Sequence, residues 1–169
     1  MNAELIVLEV AELATETIRL RPGRVGDAPS LSMAGHDPAI IAGSTPPPDR
    51  SEVAARRWIE GCDERRRAGV AFDLVIAALD DDRVLGEVGY SRFDPGRRAA
   101  LMGWWVHEEA RGVGVATAAV ALLADWTLES TQVDHVLAEI SVDNPASERV
   151  ASRARFEAFA PGVWRRSRA

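Results

Sequence analysis

Residues 103–126 read GWWVHEEARGVGVATAAVALLADW, and the order of features in this stretch decides the fold. An apolar run ends at Val106, charged residues intervene, and Arg111-Gly112-Val113-Gly114-Val115-Ala116 opens a long helix predicted over 114–129. Val115, Ala119, Leu122, Leu123 and Trp126 give that helix a broad apolar stripe. Glycines let a backbone approach an anion closely. The unpaired N–H groups of a first helical turn, backed by the helix dipole, can then hold a pyrophosphate. Small side chains at Ala116 and Thr117 keep that approach open. The segment is not a Walker loop, because no lysine follows its second glycine and the spacing between glycines differs. It also lacks the third glycine of a dinucleotide fingerprint, and its strand belongs to a meander and not to a βαβ unit. Taken by itself, it reads equally well as a tight turn that uses glycine only for geometry.

Upstream, strand-like runs at 72–79, 84–93 and 99–106 are separated by the turn signals DDD and DPGR, which predicts an antiparallel meander. Residues 17–21 (TIRLR) alternate as a half-buried strand, and residues 5–10 form a candidate extra edge strand. A short helix is expected from Asp27, its N-cap, to about Gly35, with Pro29 in the first turn. Residues 36–48 read as loop, stiffened at the exit by three prolines. Asp49 followed by Glu52 has the form of a capping box. It opens a helix with Ala55, Trp58, Ile59 and Cys62 on one face. Arg65, Arg66 and Arg67 end that helix as a solvated cap, and Gly69 stops it. Downstream, residues 136–142 read as a strand and 145–154 as a short helix.

The composition limits the function classes. A chain of 169 residues with 47% hydrophobic content is expected to be one domain over 1–169 with a sizeable core. A net charge of -6 argues against a nucleic-acid partner and favours cationic substrates, because phosphate binding needs clustered positive charge. Cys62 is the one cysteine, which excludes a disulfide framework or a cysteine zinc site and points to a reducing, cytoplasmic setting. The apolar patch at 5–10 lacks a basic flank and is interrupted by Glu9 and Glu12, so neither a signal peptide nor a membrane anchor is expected. His36 and His135 have no metal-ligand spacing, and no metal is expected.

The pattern R-x-x-G-x-A at Arg111 to Ala116, between the fourth core strand and a long helix, resembles the acetyl-CoA-binding motif of the GNAT acetyltransferase superfamily. Asn144-Pro-Ala-Ser147-Glu-Arg-Val150 with Phe156 resembles the N-x-x-S-x-x-V stretch of its ribosomal-protein N-terminal acetyltransferase branch. The likeness runs from Ile18 to about Phe156 and includes Leu85-Gly86-Glu87 and Gly103-Trp104-Trp105-Val106. It implies an α/β (α+β) fold, with a mixed, mostly antiparallel sheet flanked by helices and splayed between the fourth and fifth core strands. It also implies a transferase that moves an acetyl group from acetyl-CoA (coenzyme A) to a primary amine, on a protein N-terminus or a small molecule.

The resemblance puts the CoA pyrophosphate on the backbone of Arg111, Gly112, Val113, Gly114, Val115, Ala116 and Thr117. Trp105 and Val106 would pair with the pantetheine arm as an added strand does. Asn144 would hydrogen-bond that arm, and Ser147 would lie near the thioester sulfur. The residues alone also allow a plain helix cap at 144–147. For the general base, alternation puts His135, Leu137, Glu139, Ser141 and Asp143 on one strand face, which nominates Glu139. A surface Glu139 paired with an arginine fits the same pattern. Glu87, one strand earlier, is a second candidate for the cleft, and His107 is a lone loop histidine.

Two positions depart from the family pattern. Ala151 stands seven residues after Asn144, where many members carry a tyrosine acid, and Arg155 replaces the glycine before Phe156, so that helix is expected to end differently. Only EAFAPGVWRRSRA follows Phe156, which predicts an abbreviated last hairpin. Its open edge would be covered by the segment at 5–10 or by a second copy in a homodimer. A catalytically silent acyl-CoA-binding module with the same fold is the competing reading.

Overall fold

The computed structural model describes residues 5–9, 12–43 and 49–169. Strand β1 (Leu13–Ala14) folds back on β2 (Ile18–Arg21), and Thr15 Oγ1 holds the turn by accepting from the Ile18 N–H at 3.1 Å. The meander follows as β3 (Phe72–Ala78), β4 (Val84–Asp94) and β5 (Ala99–Val106), antiparallel throughout. β6 (His135–Glu139), β7 (Glu157–Ala160) and β8 (Val163–Ser167) complete an eight-stranded sheet in the order β1-β2-β3-β4-β5-β6-β8-β7.

Among the described residues the one parallel pairing is β5 with β6, and it runs only from Ala99 opposite His135 to Leu101 opposite Leu137. Beyond Leu101 the two strands part, which leaves the outer edge of Met102 to Val106 free of a β6 partner. Two glycines let β4 sit tightly between its neighbours. A Cβ at Gly86 would run into the Trp105 carbonyl, and one at Gly89 into the Phe72 carbonyl.

Helices cover both faces. On one lies α5 (Val115–Ser130), whose Ala119, Val120, Leu123, Ala124, Thr127 and Leu128 are buried. Leu122 and Trp126 flank that stripe, and Trp126 stacks on Phe72 at 5.9 Å. On the other face, α1 (Ala28–Ala34) packs on α3 (Glu52–Glu60), and α4 (Cys62–Arg67) packs on β3. The buried Arg21 and Asp27 carry a bidentate pair at 2.8 and 3.0 Å, and Asp27 Oδ2 also accepts from the Arg24 N–H at 2.7 Å, so the carboxylate ties Arg21 to the turn before α1 and does not cap α1 itself. The second helical region near the sheet's open end is α6 (Pro145–Arg153).

Several sequence expectations are corrected. Residues 5–9 are not a strand: Ile6 and Leu8 bury their side chains, and Arg66 donates to the Leu8 carbonyl at 3.0 Å. Val10 lies outside the described residues. The expected loop 36–48 contains α2 (Pro38–Gly43), opened by Asp37, whose carboxylate accepts from the Ala39 N–H at 2.8 Å. Residues 44–48 lie outside the described residues. The cap of α3 is Ser51, which accepts from the Ala54 N–H at 3.1 Å, and Gly61 breaks the expected single helix into α3 and α4.

The last hairpin is present. β8 pairs along the whole of β6, so it closes the edge from which a covering segment or a second copy was expected. α6 also ends as a glycine-terminated helix does. Arg155 takes the left-handed conformation at φ +67, and the Phe156 N–H reaches back to the Ala151 carbonyl at 2.9 Å. Among the described residues no helix is long and apolar enough to cross a membrane.

Candidate active site

Where β5 and β6 part, a cavity of about 310 Å³ opens between β5, the start of α5 and α6. Trp105 and Val106 line it from β5, and Arg111, Gly112, Gly114, Ala116 and Thr117 line it from the turn and first helical residues. Gly112 and Gly114 sit at φ +74 and +89, a region that favours glycine, and a Cβ at either would meet no heavy atom of the described residues within 4 Å. No side chain caps α5, whose first turn carries no acid, so its dipole and amide groups face the cavity uncompensated. Val113 is exposed and Val115 packs toward the core; neither side chain lines the cavity.

Arg111 is fixed from two sides. Its guanidinium donates to the Val106 carbonyl at 3.2 Å and to the Asp37 carboxylate at 2.5 Å, which holds Asp37 below the usual carboxylate range. On the α6 side Asn144 and Ser147 line the same cavity. Asn144 is also the helix cap, its Oδ1 accepting from the Ser147 N–H at 3.0 Å, so its amide nitrogen remains for a ligand. Arg149 and Arg153, one helical turn apart, add positive charge that the sequence reading missed. Their spacing on the helix opened by Asn144 was the available signal. An uncapped helix start, two open glycines and nearby arginines fit the diphosphate and phosphate of a coenzyme A ligand.

A second cavity, of about 440 Å³, shares Ile40, Gly43, Trp104 and Trp105 with the first. Asp73, Glu87, Gly89 and Gly103 form its floor on one sheet face, and Trp58 of α3 forms a wall. Trp104, which packs against the core, also lines both cavities. Glu87 lies directly opposite Trp105, whose side chain hydrogen-bonds its carboxyl. Burial, reinforced by the neighbouring Asp73 and opposed by Arg65 and Trp105, pushes Glu87 up to about 8. Burial also raises Asp73, against the pull of Arg65, whose Nη2 lies 3.6 Å away.

Glu139 lines neither cavity. It stands on the exposed side of β6, pairs with Arg92 at 3.4 Å, and sits in register with Val163 of β8. The polar face read from β6 is therefore an outer surface, while Val136, Ala138 and Ile140 fill the core. His107 is buried beside Trp105 with ring centroids 5.2 Å apart, and burial lowers its pKa, which keeps it neutral. Ala151 is fully buried in the core, and Tyr90 gives its hydroxyl to Thr127 at 2.8 Å, so neither stands at the site.

The sheet thus parts between an uncapped helix start on one side and a half-buried carboxyl on the other. The description "Acetyltransferase (GNAT) domain" matches residues 17–157, and the chain belongs to the GNAT acetyltransferase family. It is similar to the ribosomal-protein-serine acetyltransferase of Escherichia coli (strain K12), 27% identical over 107 residues. That match spans 63% of this chain and 59% of the relative's length. Among solved structures, the fold resembles RimL, a ribosomal L7/L12 alpha-N-protein acetyltransferase, in complex with coenzyme A. The TM-score is 0.79 at 19% identity, covering 93% of this chain and 98% of that one. Mycobacterium smegmatis RimJ in complex with CoA-disulfide gives 0.78 at 19% identity, covering 94% and 86%.

Proposed function

We propose that the protein transfers an acetyl group from acetyl-CoA to a primary amine, with Glu87 as general base. The observation that carries this reading is the junction of the two cavities at Trp104 and Trp105. One cavity supplies the anion cradle; the other presents a carboxyl poised to exchange a proton near neutral pH. When bound, acetyl-CoA supplies an activated thioester, and overall an ammonium ion becomes an amide, coenzyme A and a free proton. The N–H groups of Gly112 to Thr117 and the Arg111, Arg149 and Arg153 side chains would hold the phosphates. Trp105 and Val106 would offer the edge of β5 that β6 leaves open to the pantetheine arm, and Asn144 its amide nitrogen.

Glu87 takes one proton from the acceptor nitrogen, whose lone pair is then free to attack. Ser147 remains the candidate that relays the second proton from the attacked nitrogen to the leaving sulfur, its own hydroxyl being restored in the same transfer, since it lines the cofactor cavity while Tyr90 does not. Glu139 is set aside as base because its carboxylate faces solvent and Arg92. The name of the Escherichia coli relative, a ribosomal-protein-serine acetyltransferase, supports testing serine-bearing ribosomal-protein peptides beside small amines. Release of free thiol from acetyl-CoA is to be followed with an amine and peptide panel, and repeated with Glu87→Gln and Glu139→Gln. Loss of about 100-fold or more in kcat/KM is expected for Glu87→Gln alone. A defect confined to Glu139→Gln would reverse the assignment. Coenzyme A binding without thiol release from any acceptor would favour the silent module.

A further inference from the structure

A glycine inside a strand weakens it by about 0.5–1 kcal/mol relative to alanine, so its presence has a cause: a left-handed φ, a close neighbouring backbone, or a need for space. Gly86 and Gly89 have the second cause. Gly103 has neither of the first two. Its φ is not in the left-handed region, and a Cβ built on it meets no heavy atom of the described residues within 4 Å. It is exposed on the floor of the larger cavity. The missing side chain leaves that space open.

The register says what the space adjoins. Gly103 pairs with Gly89, and two residues along the same face Trp105 pairs with Glu87. Two strand residues span about 7 Å, so a bare glycine strip begins beside the carboxyl and runs away from it. Trp58 and Leu31 overlook the cavity. Three of the polar groups around it are engaged: Ser32 donates to the Arg50 carbonyl, Ser51 caps α3, and Asp49 accepts from the Ser51 N–H, while Ser91 and Arg50 also line the cavity. Arg65 is likewise spent on the Trp58 carbonyl, the Cys62 sulfur and Asp73. Asp73 and Glu87 stand together at one end, Asp49, Arg50 and Ser91 line the cavity elsewhere, and no side chain of the described residues comes within 4 Å of a Cβ built on Gly103, so the strip itself offers a charge no partner.

Resting on the transferase reading, we infer that Gly103 determines acceptor specificity. The acceptor is a primary amine with a single ammonium at the Glu87 end and an apolar or aromatic body lying over Gly89 and Gly103. Polyamines suit this cavity poorly, because their second charge would lie on the glycine strip.

The test is calorimetry on protein loaded with coenzyme A, using 2-phenylethylammonium and spermidine as probes, with wild type, Gly103→Ala and Gly103→Val. Wild type binds 2-phenylethylammonium more tightly than spermidine. Gly103→Val weakens the aromatic amine by about tenfold or more, and Gly103→Ala falls between. Affinity for coenzyme A stays unchanged in both variants, and Tm does not fall, since valine suits a strand better than glycine. Equal binding by Gly103→Val and wild type overturns the inference. So does undetectable binding of 2-phenylethylammonium, tighter binding of spermidine, or a fall in Tm showing that the glycine serves the fold. If wild type fails to bind coenzyme A, the transferase reading itself falls; intact coenzyme A binding without amine discrimination sinks only the role of Gly103.

Discussion

Asp73 and Glu87 stand one diagonal step apart on the same face of adjacent strands, because Asp73 pairs with Gly89 and Glu87 with Val75. Among the described residues the cation beside them is Arg65, which the Trp58 carbonyl and the Cys62 sulfur also share. Burial first, and then the like charge of Asp73 against one committed cation, favours the protonated form of Glu87. A base must be ionised to act, so kcat/KM is expected to rise with pH through about 8. Asp73→Asn removes a like charge, so the rise should move to lower pH, while Asp73→Glu should largely restore it. Profiles recorded with one amine carry the same substrate ionisation, so their difference isolates Glu87. Superimposable profiles for Asp73→Asn and wild type would show that Asp73 does not act on Glu87.

The same carboxyl makes stability depend on pH. Glu87 is raised in the folded state from 4.5 to about 8, so between those values the folded protein binds more protons than the unfolded chain. Stability is then fully present below pH 4.5 and falls as pH rises through about 8. Asp73, raised by burial, contributes in the same direction. Thermal melts from pH 5 to 9 should show a decline in wild type that is smaller in Glu87→Gln, leaving the variant the more stable of the two at pH 9. A parallel decline in both proteins would place the effect elsewhere.

The meander, the long helix and the glycine turn were legible because each carries a local signal: alternation, a helical stripe, and glycines followed by small residues. The ends of the chain were not. EAFAPGVWRRSRA looks too short for a hairpin, yet Gly162 at φ +69 turns it within two residues so that β8 can pair with β6. The surroundings of Glu139 were hidden for a related reason. Alternation in β6 shows that Glu139 is on one face but not whether that face meets a cavity or solvent, and β8 with Arg92 decides for solvent. Asp73 sits inside the apolar run FDLVIAA, a buried charge the sequence shows but cannot connect to Glu87 without the register.

Arg155 offers a stability test. A left-handed non-glycine residue costs about 1–2 kcal/mol, and here Arg155 holds both oxygens of Asp125 at 2.7 Å. That pair is solvent-exposed and adds little, and Asp125 also keeps Arg166 as a partner. Arg155→Gly is therefore expected to stabilise the protein by about 0.5–1 kcal/mol after the extra entropy of glycine in the unfolded chain is charged against it. Tm should rise by about 2–4 °C. A fall in Tm would mean the Asp125 pair outweighs the backbone strain.

The anion cradle can be tested without weakening the fold. Ala116 lies in the first turn of α5 and lines the smaller cavity, in a turn without acids. A glutamate there complements the helix dipole, an effect worth about 0.3–1 kcal/mol in favour of the helix, but sets a negative charge where a diphosphate would lie. Like charges brought together in a binding site cost several kcal/mol, so Ala116→Glu should weaken coenzyme A binding by about a hundredfold or more. Its Tm without ligand should hold or rise, whereas stabilisation by coenzyme A should vanish. Opposite signs on the free and liganded protein separate this outcome from general damage. If calorimetry found coenzyme A bound to Ala116→Glu as tightly as to wild type, the start of α5 would not be where the phosphates sit.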